Sequence, residues 1–241
     1  MSLLTIITVT WNCATTLEKT LRSVQDIKNE TIEYIIIDGV SDDGTLDLIS
    51  QYASLVDQMV SEPDTGIYNA MNKGVSLAKG EYILFINGDD ELVSEGFPSV
   101  LQVLKQGKAD IVCGTTLVGS VNAPTEVLTA QPLRLPFFNT VPHPSSFTRT
   151  ALLKATPFRE DLRIASDYDF FLGAYLRRKH FQILPAVTAL HQRGGASGDQ
   201  DLSETEIEQI RHDQLGWRYP LYNTVGYLYR SLKNLTRQPK P

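Results

Sequence analysis

The sequence predicts an α/β fold, a mostly parallel central sheet flanked by helices with a less regular C-terminal part, and three observations lead to it. Strand and helix patterns alternate from the N-terminus with short joints, which favours parallel strands joined by right-handed crossovers. The apolar run at 82–86 (Y-I-L-F-I) is unbroken and rich in aromatic and β-branched residues, as suits a strand buried on both faces. Acids follow two strand candidates directly: Asp38 after Ile37, and Asp89, Asp90 and Glu91 after Asn87-Gly88. In open α/β sheets ligands bind beyond the carboxyl ends of the strands, so acids gathered there are candidates for chemistry as well as for simple solvation.

Taken in order, residues 3–11 (L-L-T-I-I-T-V-T-W) read as the first strand. Residues 12–15 turn the chain, and 16–27 form a helix with Leu17, Leu21 and Val24 on one face. A second strand at 32–37 ends at Asp38-Gly39, and Asp42-Asp43-Gly44 turns into a helix carrying Leu46, Ile49, Ala53 and Val56. Residues 58–61 make a short third strand, 66–79 a helix closed by Gly80, and the central strand follows from Glu81. Beyond it, 96–106 reads as a helix and 111–115 as a strand. Residues 118–134, with Gly119, Asn122, Pro124 and Pro132, suggest a hairpin or loose excursion, and 135–147, with three prolines, a shaped loop. A helix at 166–179, a strand at 181–189, a Gly-rich loop at 194–198 and a polar helix at 203–215 complete the body. This divides one domain into a half at 1–115, a second half at 116–215 and a tail at 216–241.

Composition narrows the classes. At 241 residues, with 42% hydrophobic and 21% charged residues, the chain is an ordinary globular protein of one domain. A net charge of -6 argues against nucleic acid as a partner. Cys13 and Cys113 are far apart and in no metal-ligand spacing, which predicts a reduced, cytoplasmic setting, with Cys13 packed as a small apolar residue. The N-terminus lacks the basic region and long apolar run of a signal peptide, and no segment approaches the ~20 apolar residues of a membrane span.

The first strand ends on the acidic edge too, at Trp11-Asn12. Such an edge suits a nucleotide: a carboxylate accepts from a base or a ribose hydroxyl, and a hard cation held by carboxylates also takes phosphate oxygens. Neither a G-x-G-x-x-G nor a G-x-x-x-x-G-K-[ST] cradle is present, which points to metal-held diphosphate. By residue type alone, Ser166 to Asp169 reads as helix capping, because Ser-x-x-Asp resembles a capping box.

The motifs T-V-T-W-N at 8–12, I-I-I-D-G-V-S-D-D-G-T at 35–45, S-E-P-D-T-G-I-Y-N-A-M-N-K-G at 61–74, G-E-Y-I-L-F-I-N-G-D-D at 80–90 and A-S-D-Y-D-F-F-L at 165–172 occur in one order over about three-quarters of the chain. In them the chain resembles a family 2 glycosyltransferase of the GT-A (Rossmann-like) fold, of the bacterial cell-surface polysaccharide kind. The resemblance implies an inverting, metal-dependent transfer of a sugar from a UDP- or GDP-sugar to a saccharide or lipid-linked acceptor. It puts Thr10, Trp11, Asn12, Asp38, Asp64, Asn72 and Asp89 around the nucleotide. Asp89 and Asp90 would bind Mn2+ or Mg2+, and Asp167 would be the catalytic base. Ser166 stands where the family normally has the first acid of a Glu-Asp pair, and Met71 where a basic residue is frequent. In the same reading His143 and Ser145 face the acceptor, and His191 approaches the metal from beside the Gly-rich loop.

Other readings compete. A phosphatase that uses Asp38 needs a second Asp two residues on, where Val40 stands. A sugar nucleotidyltransferase needs a Gly/Arg/Lys-rich loop after the first strand, which residues 11–16 lack. A non-catalytic nucleotide-sugar-binding or scaffold protein draws support only from Ser166. The tail from Trp217 onward interleaves aromatics with Arg218, Arg230, Lys233, Arg237 and Lys240, and no Asp or Glu follows Asp213. That pattern suits peripheral contact with the anionic inner face of a membrane, or packing on the domain or on a second copy in a homo-oligomer.

Overall fold

The computed structural model of the chain describes residues 2–192 and 200–236. Its centre is a nine-stranded sheet in the order β3-β2-β1-β4-β8-β6-β9-β5, with β7 paired to β6. β1 (Leu4–Thr10), β2 (Ile32–Asp38), β3 (Gln58–Ser61) and β4 (Tyr82–Phe85) are parallel neighbours. The crossovers are α1 (Leu17–Ile27), α2 (Thr45–Gln51) and α3 (Ile67–Leu77). This is the α/β frame that the alternation of patterns predicts. Register pairs Thr10 with Asp38 and Ile7 with Phe85, so β1, β2 and β4 finish at one edge.

Strand periodicity divides the apolar runs between two cores. Ile7, Val9, Ile35 and Ile37 face α3 and the later helices, whereas Leu4, Ile6, Tyr34 and Ile36 face α1 and α4. Full burial of each such side chain is worth roughly 1.5–3 kcal/mol, against about 1 kcal/mol net for a hydrogen bond. The two apolar faces therefore fix the register, since a slip of one residue would exchange them.

The second half departs from the sequence reading. β5 (Glu91–Leu92) pairs with β9 (Phe181–His191), and α4 (Phe97–Gln106) leads into β6 (Ile111–Gly119), which is longer than the expected strand at 111–115. β6 and β7 (Pro124–Thr129) form the hairpin suggested at 118–134, with Gly119 at φ 100°. The expected loop at 135–147 hides the start of β8 (Ser146–Arg149), which runs antiparallel between β4 and β6 and is followed by α5 (Thr150–Ala155). Prolines mask this strand in sequence, although they stop two residues before it. α6 (Ser166–Leu176) and α7 (Gln200–Leu215) follow, and the tail is a helix, α8 (Tyr219–Thr236). α8 rests on the body by Tyr222, whose ring meets Phe137 edge-on at 5.2 Å, and by Gly226 close to Phe137. The Gly-rich loop at 194–198 lies outside the described residues.

Gly96, just before α4, lies against β9: a Cβ there would run into the carbonyl oxygen of Val187. Gly96→Ala should lower stability by about 1–3 kcal/mol, as overpacking against rigid backbone does. Chemical denaturation of the variant measures this, and an unchanged midpoint would contradict the packing.

Candidate active site

The carboxyl edge of the sheet opens into a cleft of about 1220 Å³. Its walls come from the end of β1 (Thr10 to Cys13), the segment from Asp64 into α3, Asn87 to Asp89 after β4, the 139–144 loop and the entry to α6. The sequence separates these segments by up to 150 residues; the parallel register and the central position of β4 bring them together.

At the β1–β2 end, Asp38 is fully buried. Its Oδ1 accepts from Thr10 Oγ1 at 3.0 Å and Ser41 Oγ at 2.5 Å, and its Oδ2 from the Ser41 N–H at 3.0 Å and Ser61 Oγ at 2.7 Å. Burial pushes this carboxyl up, but the donors from Ser41, Ser61 and Thr10 outweigh it and hold the group below its ordinary value. Asp38 thus stands behind the cleft wall with its oxygens engaged by the protein, rather than presenting a free carboxylate to a ligand. What it organises does reach the cleft. Ser41 Oγ accepts from the Asn12 N–H at 2.9 Å, and Asn12 Oδ1 accepts from the Asp42 N–H at 3.0 Å. Asn12 and Val40 sit at φ 50° and 63°, conformations that L side chains rarely adopt and that this network holds in place. The Trp11 indole projects from the wall, 71% exposed. Gly39 allows Asp64 to approach, for a Cβ there would fall 2.6 Å from Asp64 Oδ2.

After β4, Asp89 is half-buried on the wall. Burial, then the charge of Asp90, pushes its carboxyl up. Asp90 is wholly buried, with Oδ1 2.6 Å from His191 Nδ1 and Oδ2 without a hydrogen-bond partner among the described residues. Among the described residues, no three or more His, Cys, Asp or Glu side chains converge to cage a metal ion. Of the expected set of Asp89, Asp90 and His191, the structure brings His191 Nδ1 to Asp90 Oδ1. The carboxylates still fit a hard cation whose remaining ligands are phosphate oxygens, because such ions are usually held by one or two carboxylates and the substrate. The partnerless buried oxygen of Asp90 and the raised Asp89 are the features such an ion relieves.

Across the cleft lies Asp167, in the first turn of α6. Its Oδ2 is 3.3 Å from His143 Nδ1, and its Oδ1 accepts from the Tyr168 N–H at 2.7 Å and faces Tyr68 Oη at 3.4 Å. His143 Nε2 in turn faces Asn87 Nδ2 at 3.3 Å. With Nε2 accepting from the amide, the ring proton sits on Nδ1 and points to Asp167. A line Asn87–His143–Asp167 therefore joins the turn after β4 to the acid of α6. The capping reading of Ser166 fails: the N-cap is Ala165 with no side-chain cap, and Ser166 Oγ is buried without a partner.

Two further expectations are corrected. Ser145 turns inward, fully buried, and accepts from Thr116 Oγ1 at 2.8 Å. Asn72 staples α3 to the 158–160 segment, donating to the Phe158 carbonyl and to Glu160 and accepting from the Phe158 N–H, and does not line the cleft. The sequence reading passed over Tyr68 and Asn87 as contacts of the Asp167 line, though both stand inside motifs at 61–74 and 80–90. It had no signal for Glu206, which holds the start of α6 from another helix. Burial raises the Cys13 thiol to about 11, leaving it protonated and unreactive at neutral pH.

The family model "Glycosyl transferase family 2" matches residues 5–179. A "PGL/p-HBAD biosynthesis glycosyltransferase" of Mycobacterium bovis is 30% identical over 202 residues, covering 80% of this chain and 78% of that one. The poly(ribitol-phosphate) beta-N-acetylglucosaminyltransferase TarS of Staphylococcus aureus is 25% identical over 191 residues, 74% of this chain and 33% of its own length. In structure, TarS 1-349 in complex with UDP-GlcNAc superposes with a TM-score of 0.71 at 20% identity, covering 91% of this chain and 73% of that one. The mannosyltransferase PcManGT of Pyrobaculum calidifontis, in complex with GDP-Man and Mn2+, gives 0.66 at 16% identity, covering 98% and 76%.

Removing the Asp38 charge should unfasten the β1–β2 end. Asp38→Asn should cost about 1–3 kcal/mol at neutral pH, because buried hydroxyl donors lose an ionised acceptor. A carboxyl lowered by folding stabilises fully above its ordinary value of 3.8 and loses that contribution as pH falls through the lowered one. Melting curves of wild type and variant should therefore converge only below that ordinary value; a gap independent of pH would rule out the charge as the cause.

Proposed function

This chain belongs to glycosyl transferase family 2 and is a glycosyltransferase, and from that premise we propose that it moves a sugar from a nucleoside-diphosphate sugar to a saccharide hydroxyl, with inversion, in the synthesis of a bacterial surface glycan. The observation that carries the reading is two acids in the wall of one cleft: Asp89 after β4, with the buried Asp90 next to it, and Asp167 tied to His143 at 3.3 Å. The bacterial glycan context is taken from the relatives, whose names describe PGL/p-HBAD biosynthesis and poly(ribitol-phosphate) modification.

The base of the donor lies against Trp11 and Asn12, with Thr10 and Asp38 fixing that pocket from behind and Asp64 at its border. UDP and GDP are the two candidates, matching the ligands named for TarS and PcManGT. Asp89 and Asp90 are the residues that would hold Mn2+ or Mg2+. When bound, such an ion neutralises charge on the departing diphosphate. Asp167 accepts the proton of the acceptor hydroxyl. The acceptor oxygen then forms its bond to the anomeric carbon from the face opposite the diphosphate, and the bond from that carbon to the phosphate oxygen breaks with its electron pair on the leaving group. His143 orients Asp167 by donating from Nδ1 and lies where the acceptor enters. A lipid-linked saccharide suits the exposed apolar side chains Trp217, Leu221 and Leu228 around the start and middle of α8, which favour peripheral contact with a membrane surface. No helix among the described residues is long and apolar enough to cross a membrane.

Calorimetric titration with UDP, GDP and CDP, with and without manganese, tests the donor site. One nucleotide should bind, only with metal, and Asp90→Ala should abolish it; no binding to any of the three by folded protein would sink the reading. Asp167→Asn should keep nucleotide affinity and lose about 10²–10⁴-fold in kcat, the usual contribution of a positioned base. Near-wild-type turnover by that variant would remove Asp167 from the base role.

A further inference from the structure

The start of α6 is held from outside the helix. The backbone N–H groups of Arg163, Ile164 and Ala165 all donate to one carboxylate, that of Glu206 on α7, at 2.7, 2.9 and 2.9 Å. Glu206 is only 6% exposed. From the opposite side Tyr68 Oη donates to the Ile164 carbonyl at 2.6 Å. Three successive amide donors converging on an anion make a nest. Here the anion is a side chain from elsewhere in the chain, and the segment it grips forms cleft wall and delivers Asp167 two residues later.

Asp167 occupies the first turn of that helix, and the side chains that meet it there are His143 from the loop before β8 and Tyr68 from α3.

We propose that Glu206 is a positioning residue for the transfer reaction, clamping residues 163–165 so that Asp167 faces the cleft. The proposal rests on Asp167 being the base. Glu206 touches neither substrate nor reacting atoms; it acts through the backbone.

The test uses the full chain with Glu206→Gln and Glu206→Asp, assayed for sugar transfer beside Asp167→Asn. Glu206→Gln keeps the size of the side chain but turns an amide NH2, a donor, toward backbone N–H groups that need an acceptor. Its kcat should fall about tenfold. Donor KM and nucleotide affinity should stay at wild-type values. Glu206→Asp keeps the acceptors on a shorter reach, so its kcat should also stay below wild type with donor KM unmoved. A wild-type kcat in Glu206→Gln would overturn the proposal, and loss of turnover in Asp167→Asn alongside it would show that the base reading survives. Full turnover by Asp167→Asn would instead remove the base reading itself. Should Glu206→Gln lose its cooperative melt, Glu206→Asp decides: a lowered kcat with unmoved donor KM supports positioning, and a wild-type kcat overturns it.

Discussion

Everything polar in this protein depends on the parallel pairing of β1 with β2 and β4. That register ends three strands at one edge, opposite Thr10, Asp38 and Phe85. β1, β2 and β4 are buried along their whole length, and the polar groups that line the cleft follow where these strands end. The two-sided core allows little else. With Ile7 and Val9 committed to one face and Leu4 and Ile6 to the other, sliding a strand would exchange apolar faces worth several kcal/mol. The site is therefore positioned by the hydrophobic packing of the strands that lead into it.

That edge gathers Asp38, Asp64, Asp89, Asp90 and Asp167, and like charges crowded together need compensation. The protein deals with each differently. Asp38 is satisfied by hydroxyl and amide donors, and its charge helps stability without reaching the cleft. Asp90 is matched to His191 on one oxygen and, among the described residues, left without a partner on the other. Asp89 keeps its strain, raised by burial and by its neighbour. The uncompensated part of the cluster is thus confined to the turn after β4, where a cation and a diphosphate have the most to offer. Asp167, across the cleft, is held by His143 and kept out of that cluster.

The first half of the fold was legible because its signals are local. Alternating strand and helix periods, the run at 82–86 and the acids after Ile37 and Gly88 each follow from neighbours in sequence. The errors have a common origin in tertiary pairing. β8 is four residues long and directly follows a proline-bearing loop, and only its place between β4 and β6 makes it a strand. Ser145 and Asn72 have residue types suited to a ligand, but the structure turns one onto Thr116 and the other onto the Phe158 backbone. His191 comes to Asp90 across a hundred residues of chain, through the pairing of β9 with β5 and β6, which local sequence does not show. The three hydroxyls around Asp38 come from Thr10, Ser41 and Ser61, two of them more than twenty residues away, so its buried network is invisible in the local sequence.

The start of α6 illustrates how far such tertiary effects extend into chemistry. Locally, Ser166 and Asp167 look like ordinary helix-start residues. The chain leaves Ser166 Oγ buried and uncapped, and brings the carboxylate of Glu206 from α7 onto the three preceding amides. A side-chain cap from within the helix would have satisfied donors of the same turn that bears Asp167; an anion from outside satisfies the donors before it. The cost of burying that charge is met by three amide hydrogen bonds, the arrangement in which a buried carboxylate is tolerated without a cationic partner. Because the donors are backbone groups of residues 163–165, their side chains carry no trace of the contact, and the forty-odd residues to Glu206 hide it from any reading of sequence spacing.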